Sequence, residues 1–232
     1  GVVWIFPGDP DAARDVPLPA IPQLDGAERW DICPIVMTLR AHHSMIVENV
    51  CDFNHETLHE GKSPFLGQKF MGHERDGDTI YVRYETRIGR SGWVSRFAGG
   101  ERSGRITLWY HYPYQGSNTD DKYVHWLYNR PIDAHTTECF FLFLFKEFTL
   151  PGTERALPAF LRAPLLKLAE RTYIRPVLDQ DRWALEEEQR AFERCGDVPS
   201  PEPNPIVPAF RRLTVEKWDA YRNRAAAAEG RA

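Results

Sequence analysis

Between Thr79 and Ile88 the apolar residues Ile80, Val82, Tyr84 and Ile88 alternate with Arg83, Glu85 and Arg87. That period of two predicts a strand with one wet face. Upstream, Glu74-Arg75-Asp76-Gly77-Asp78 has the composition of a tight turn, so Gln68–His73 and Thr79–Ile88 are expected to form a hairpin. Three further strands are predicted over Ile106–Tyr112, Tyr123–Tyr128 and Thr137–Phe148. The last contains the run Phe140-Phe141-Leu142-Phe143-Leu144-Phe145, apolar on both faces, as expected for a strand buried centrally or lining a hydrophobic cavity. A strand-like pattern over 32–45 (Ile32, Ile35, Val36, Leu39) leads into residues 45–59, where Met45, Val50, Phe53 and Leu58 recur at helical spacing. This predicts one short helix.

After Pro151-Gly152 the period lengthens. Leu157–Glu170 and Arg182–Cys195 read as two helices, the second stopped by Gly196 and Pro199. Residues 199–208 are expected to be extended, Thr214–Arg224 to form a closing helix, and 225–232 to fray. Residues 8–29 have no clear period and read as a linker crossing a surface. Gly1-Val2-Val3-Trp4-Ile5-Phe6 reads as a strand already in progress, ended by the turn Pro7-Gly8-Asp9-Pro10, so a preceding N-terminal part is expected. Strands followed by helices, without internal repeats, predict an α+β domain with helices packed on a curved antiparallel β-sheet.

Composition narrows the function classes. The chain has 232 residues, 42% hydrophobic and 27% charged, with a net charge of −4, which suits a globular domain with a sizeable core. Basic residues form no long patch, so nucleic-acid binding is not expected. The longest apolar run, Cys139–Phe145, is too short to span a bilayer, and no membrane partner is expected. Cys33, Cys51, Cys139 and Cys195 form no C-x-x-C pair. Few, widely spaced cysteines fit reduced thiols and a cytoplasmic location.

The candidate chemistry centres on His55-Glu56-Thr57-Leu58-His59. Two histidines four apart on a helix share a face and can chelate one metal ion. The pentapeptide also matches the H-E-x-x-H signature of zinc metalloproteases, in which Glu56 would be the catalytic base. That match stops at five letters. Glu60 stands where an uncharged residue is usual, and Lys62 and Phe65 stand where a metzincin requires Gly and His. Non-heme Fe(II) sites instead take two histidines and one carboxylate, leaving open positions for oxygen and substrate. Asp52 lies close to His55 in sequence, and Asp181 opens the predicted helix 182–195, where it could equally be an ordinary N-cap. A hydrophobic-ligand-binding module without catalysis would also suit a curved sheet under a long helix, but would not need Asp52, His55, His59 and Asp181 together. The remaining histidines, His42, His43, His73, His111, His125 and His135, lack comparable spacing and are expected to be structural or exposed.

Asn49-x-x-Asp52-x-x-His55-x-x-x-His59 resembles the iron-binding helix of Rieske-type aromatic ring-hydroxylating oxygenases, in the catalytic domain of their alpha subunits. The segment from Gly1 to Pro10 resembles the stretch leaving the Rieske domain of that family. Gln180-Asp181-Arg182-Trp183-Ala184-Leu185-Glu186 resembles the helix carrying the third iron ligand. The family usually has four residues between the two histidines; this chain has three.

The resemblance implies a helix-grip, START-like catalytic domain over 31–224, preceded over 1–30 by the segment leaving a Rieske domain and followed by a tail over 225–232. It implies Fe(II) held by His55, His59 and Asp181. Asn49 would lie near the iron, and Asp52 would link the site to the 2Fe-2S Rieske cluster of a neighbouring subunit in a homotrimer. It further implies O2, a small hydrophobic or aromatic substrate, and a ferredoxin or reductase as electron donor. The reaction would be hydroxylation or oxidative dealkylation.

Overall fold

The computed structural model describes residues 3–5, 10–14, 18–59, 62–63, 65–88, 97, 102–150, 153, 155–198 and 201–229. Seven strands form one antiparallel sheet: β1 (Asp31–Leu39), β2 (Phe65–Asp76), β3 (Thr79–Ile88), β4 (Arg102–His111), β5 (Tyr114–Thr119), β6 (Tyr123–Asp133) and β7 (Thr136–Phe145). Their order is β1-β7-β6-β5-β4-β3-β2, so β2 to β7 run as a meander and β1 pairs with the last strand. The sheet is open, with β1 and β2 as its edges. Pro34 falls on the edge strand β1, where a missing backbone donor is tolerated.

Strand periodicity gives the sheet its two faces. Along β6, Tyr123, His125 and Leu127 point toward the helices, whereas Val124, Trp126 and Tyr128 point to the opposite side. That second side is covered by the segment before β1. Ile21 is buried against Val124, Trp126 and Leu144, and the Trp126 indole N–H donates to Gln23 Oε1 at 3.0 Å. The expected linker therefore docks on the sheet. Trp4 meets Tyr128 edge-on at 5.1 Å. The turn expected over Pro7–Pro10 falls mostly outside the described residues, as do Gly1-Val2, Pro151-Gly152 and Pro199.

Four helices pack on the first side: α1 (His43–Cys51), α2 (Ala159–Ala169), α3 (Arg175–Cys195) and α4 (Ile206–Glu229). Val47 and Cys51 of α1 join Ile206, Phe210 and Leu213 of α4 over β3 and β4. Phe210 stacks on Tyr110, whose hydroxyl lies 2.8 Å from Thr214 Oγ1. Ile46 of α1, Leu166 of α2 and Leu185 of α3 close over β1 and β7, against Phe141 and Phe143.

Local structure departs from the sequence expectations in four places. Residues 45–59 are not one helix: α1 ends at Cys51, Asp52 is extended (φ −88°, ψ 91°), and a 3₁₀ segment follows over Phe53–His59, kinked at His55. The two helices expected after residue 157 are one nearly continuous run, since a π turn over Glu170–Ile174 joins α2 to α3. Asp181 therefore lies inside α3 and is not an N-cap. The closing helix starts eight residues early, at Ile206, instead of at Thr214. Finally, β5 had no apolar alternation to announce it.

Gly116 of β5 sits between Trp109 of β4 and Trp126 of β6, its partners in the ladder. Their rings meet edge-to-face at 4.9 Å. A Cβ at this position would lie 2.6 Å from Trp109 Cζ2 and 2.5 Å from the His125 carbonyl oxygen. Gly116→Ala is expected to lower stability by about 1–3 kcal/mol through overpacking. A thermal or urea midpoint equal to wild type would show that the tryptophan pair moves aside at no cost.

Candidate metal centre

Three ligand atoms from two distant segments converge. His55 Nε2 lies 3.6 Å and His59 Nε2 3.7 Å from the same Asp181 oxygen, Oδ1. All three ligand atoms fall within 4.8 Å of one another. The kinked 3₁₀ segment brings the two rings together with three intervening residues, their centroids 5.1 Å apart.

Asp181 reaches the site from one face of α3, together with Val177, Leu178 and Leu185. The π turn upstream changes the helical phase, so that Leu166 and Ala169 before it and Leu178 and Leu185 after it all pack inward. Burial among these apolar residues pushes the Asp181 carboxyl up from 3.8 to about 7, and a hydrogen bond from the Asn49 side chain pulls it partly back. Burial lowers His55 as well, and takes His59 down to about 4. Both rings are therefore neutral at pH 7, with lone pairs free to coordinate.

The donor set fits a divalent metal. Asp181 Oδ1 is buried and has no hydrogen-bond partner, an expensive arrangement that a cation would relieve. His59 Nδ1 lies 3.4 Å from Gln180 Oε1. An N–H donated there leaves the Nε2 lone pair facing the site. Two imidazoles and one carboxylate are the ligand types of the non-heme iron facial triad, and His55, His59 and Asp181 would be the residues to hold such an ion.

The other expected site residues occupy different positions. Asn49 lines the same cavity as the triad and supports Asp181. Asp52 lies at the junction between α1 and the 3₁₀ segment, where its Oδ1 accepts from Asn204 Nδ2 at 2.8 Å. Asn204 Nδ2 also lies 3.4 Å from the Tyr84 hydroxyl, which donates to the Cys51 carbonyl. Asp52 is thus set apart from the ligand triangle, and its charge acts on His55 by raising its pKa. The carboxylate of Glu56 accepts from the Gly67 backbone N–H at 2.8 Å. It ties the metal segment to β2, a structural role. Sequence reasoning missed Gln180 and Asn204 as supports. It also set His125 aside, yet the ring lines the cavity in front of the triad.

In the metal-free chain, Asp181 has a stability signature of its own. A carboxyl whose folded pKa is raised favours the fold in its protonated form. The cost is absent below pH 3.8 and complete above about pH 7, on the order of 4 kcal/mol. The buried His43, His59 and His125, all lowered to about 4, work in the opposite direction. The informative quantity is therefore the difference between wild type and Asp181→Asn. With metal chelated, wild type is expected to lose stability relative to the variant as pH rises from about 4 to 7. Parallel stability curves for the two proteins would contradict this.

An open antiparallel sheet grips helices over two histidines and one carboxylate that could hold a metal ion. Residues 39–216 match the vanillate O-demethylase oxygenase C-terminal domain, and the chain belongs to that family. It is 49% identical over 223 residues to the 4beta-methylsterol monooxygenase of Methylococcus capsulatus (strain Bath), covering 95% of this chain and 60% of that protein. The chain therefore spans about 60% of the length of this curated relative. Its fold is similar to dicamba monooxygenase bound to 3,6-dichlorosalicylic acid, with a TM-score of 0.72 at 13% identity over 96% of this chain and 68% of the other. It is also similar to dicamba monooxygenase with non-heme iron and dicamba, with a TM-score of 0.65 at 14% identity over 94% and 67%. No helix among the described residues is long and apolar enough to cross a membrane. All four cysteines are free.

Proposed function

We propose that this domain is the catalytic part of a Rieske-type monooxygenase that oxidises an uncharged, apolar substrate carrying a methyl group, of the 4β-methylsterol kind. The observation that carries this reading is the triad of His55, His59 and Asp181 opening into a cavity walled by Met37, Leu39, Phe141, Phe143 and Leu178. Fe(II) bound there would supply the oxygen chemistry.

The chain's own residues do the rest. Gln180 orients His59, and Asn49 holds the Asp181 carboxylate. The apolar wall excludes water and seats the substrate. Asp52 stands where the family resemblance puts the link to a neighbouring subunit's 2Fe-2S cluster, in a homotrimer fed by a ferredoxin or reductase. Substrate charge is the point at which the cavity speaks most directly. Among the described residues lining it there is no lysine or arginine, so nothing there pairs with a carboxylate such as that of vanillate.

The test is O2-dependent product formation by the full-length, Fe(II)-loaded protein with a reductase, comparing a 4β-methylsterol with a methoxybenzoate. Oxidation of the sterol methyl group is the expected result. Demethylation of the methoxybenzoate alone would transfer the substrate assignment to aromatic acids. No oxidation of either, with iron bound, would overturn the reading.

A further inference from the structure

Among the polar residues that line the cavity, one pair lies on the floor of the sheet. His125 of β6 and Ser117 of β5 are directly opposed in the ladder and both line the cavity that contains the triad. Ser117 Oγ lies 2.7 Å from His125 Nδ1. Phe143, the ladder partner of His125 on β7, packs its ring 6.0 Å from the imidazole. A polar pair enclosed in this way costs folding free energy, and neither residue belongs to the metal centre.

With Nδ1 engaged by Ser117, Nε2 is the ring's remaining polar atom. Burial lowers the His125 pKa to about 4, so the ring is neutral at pH 7 and does not select an anion. Its tautomer follows the Ser117 bond. If Nδ1–H donates to Oγ, Nε2 is an acceptor; if Oγ–H donates to Nδ1, Nε2–H is a donor. A hydroxyl group satisfies either case, because it both donates and accepts. A carboxylate satisfies only the second and meets no lysine or arginine among the described residues lining the cavity, and a bare hydrocarbon satisfies neither.

We propose that Ser117 and His125 form a hydroxyl-binding subsite that positions an otherwise apolar alcohol in the cavity. This rests on the oxygenase reading and adds the polar handle by which the substrate is held. His125 is a positioning residue, with Ser117 fixing its ring.

The experiment measures binding and turnover of a 4β-methylsterol and its 3-deoxy analogue with full-length, Fe(II)-loaded wild type, His125→Phe, His125→Gln and Ser117→Ala. Wild type is expected to bind the hydroxylated compound about tenfold or more tightly, the size of one hydrogen bond left unmade in a buried site. His125→Phe is expected to bring that ratio to about one with iron content unchanged, and His125→Gln to restore part of it. Ser117→Ala is expected to lower the ratio less than His125→Phe. The effect belongs in KM and in coupling of oxygen uptake to product, not in metal content.

A hydroxyl preference retained in His125→Phe would overturn the subsite, and so would a wild type that binds both compounds equally or binds neither. The functional reading is judged separately. Wild type that oxidises some apolar substrate without hydroxyl preference loses only the subsite, whereas loss of iron-dependent oxidation on every substrate removes the oxygenase assignment.

Discussion

Asp181→Ala is expected to empty the metal centre. Protein purified without oxygen should fall from about one Fe per chain to a small fraction of that, and substrate oxidation should fall by at least ~100-fold. The reason is geometric. Asp181 supplies the one oxygen that both imidazoles face, at 3.6 and 3.7 Å, and no other carboxylate joins the cluster among the described residues. Losing a supporting partner of a ligand typically costs 10–100-fold in metal affinity, and losing the ligand itself should cost more. Asn49→Ala should fall in that smaller range, since it removes only the hydrogen bond that steadies the carboxyl. Stoichiometric iron in Asp181→Ala would refute the proposed ligand set. Stoichiometric zinc in wild type, with peptidase activity abolished by Glu56→Gln, would restore the protease interpretation of the pentapeptide. The Glu56 bond to Gly67 argues against that outcome.

Asp52→Asn should have the opposite signature: iron retained, turnover lost. Asp52 is outside the ligand triangle, so the metal has no direct need of it. Its carboxylate instead accepts from Asn204, on the segment that leads into α4, and influences His55 through its charge. If Asp52 is the link between subunits, the isosteric amide removes the charge and one acceptor oxygen while keeping the shape. Turnover should fall by about 100-fold, the size that misplacing one positioned group costs, with metal content and thermal midpoint near wild type. Loss of iron together with activity would instead make Asp52 a brace for the metal segment. Asn204→Ala discriminates further, because it leaves the charge in place and removes the hydrogen bond that orients it, together with the contacts of Asn204 to Tyr84 and Ile206.

Strands β3 and β7 were legible because their side chains obey a local rule. β3 alternates apolar and charged residues, and its burial alternates with them. β7 is apolar throughout, and it lies between β1 and β6 with Phe141 and Phe143 forming cavity wall. β5 follows no such rule. Gln115, Ser117 and Thr119 are polar, and all three are buried because strands pair on both sides and helices close over them. The break after Cys51 was invisible for a related reason. Helical spacing of apolar residues continues through Asp52, so periodicity could not distinguish one helix from two joined by an extended residue. The π turn hides in the same way, since it alters the phase of a helix while its composition still suits a helix.

Sequence by itself determined the family, the candidate ligand pair His55 and His59, and the α+β order of elements. Each depends on residues near one another in the chain, or on a motif whose spacing is set by helix geometry. The tertiary structure decided what long-range packing controls. It placed Asp181 inside a helix, buried enough to raise its pKa and to leave an oxygen unpartnered. It brought Gln180 to His59 across 121 positions and Asn204 to Asp52 across 152. It also turned His125 toward the cavity of the His55, His59 and Asp181 centre. No local pattern encodes those encounters, because their energies arise only after the sheet has curved and the helices have closed over it. The H-E-x-x-H letters are local, whereas the carboxylate that both histidines face lies more than a hundred residues away.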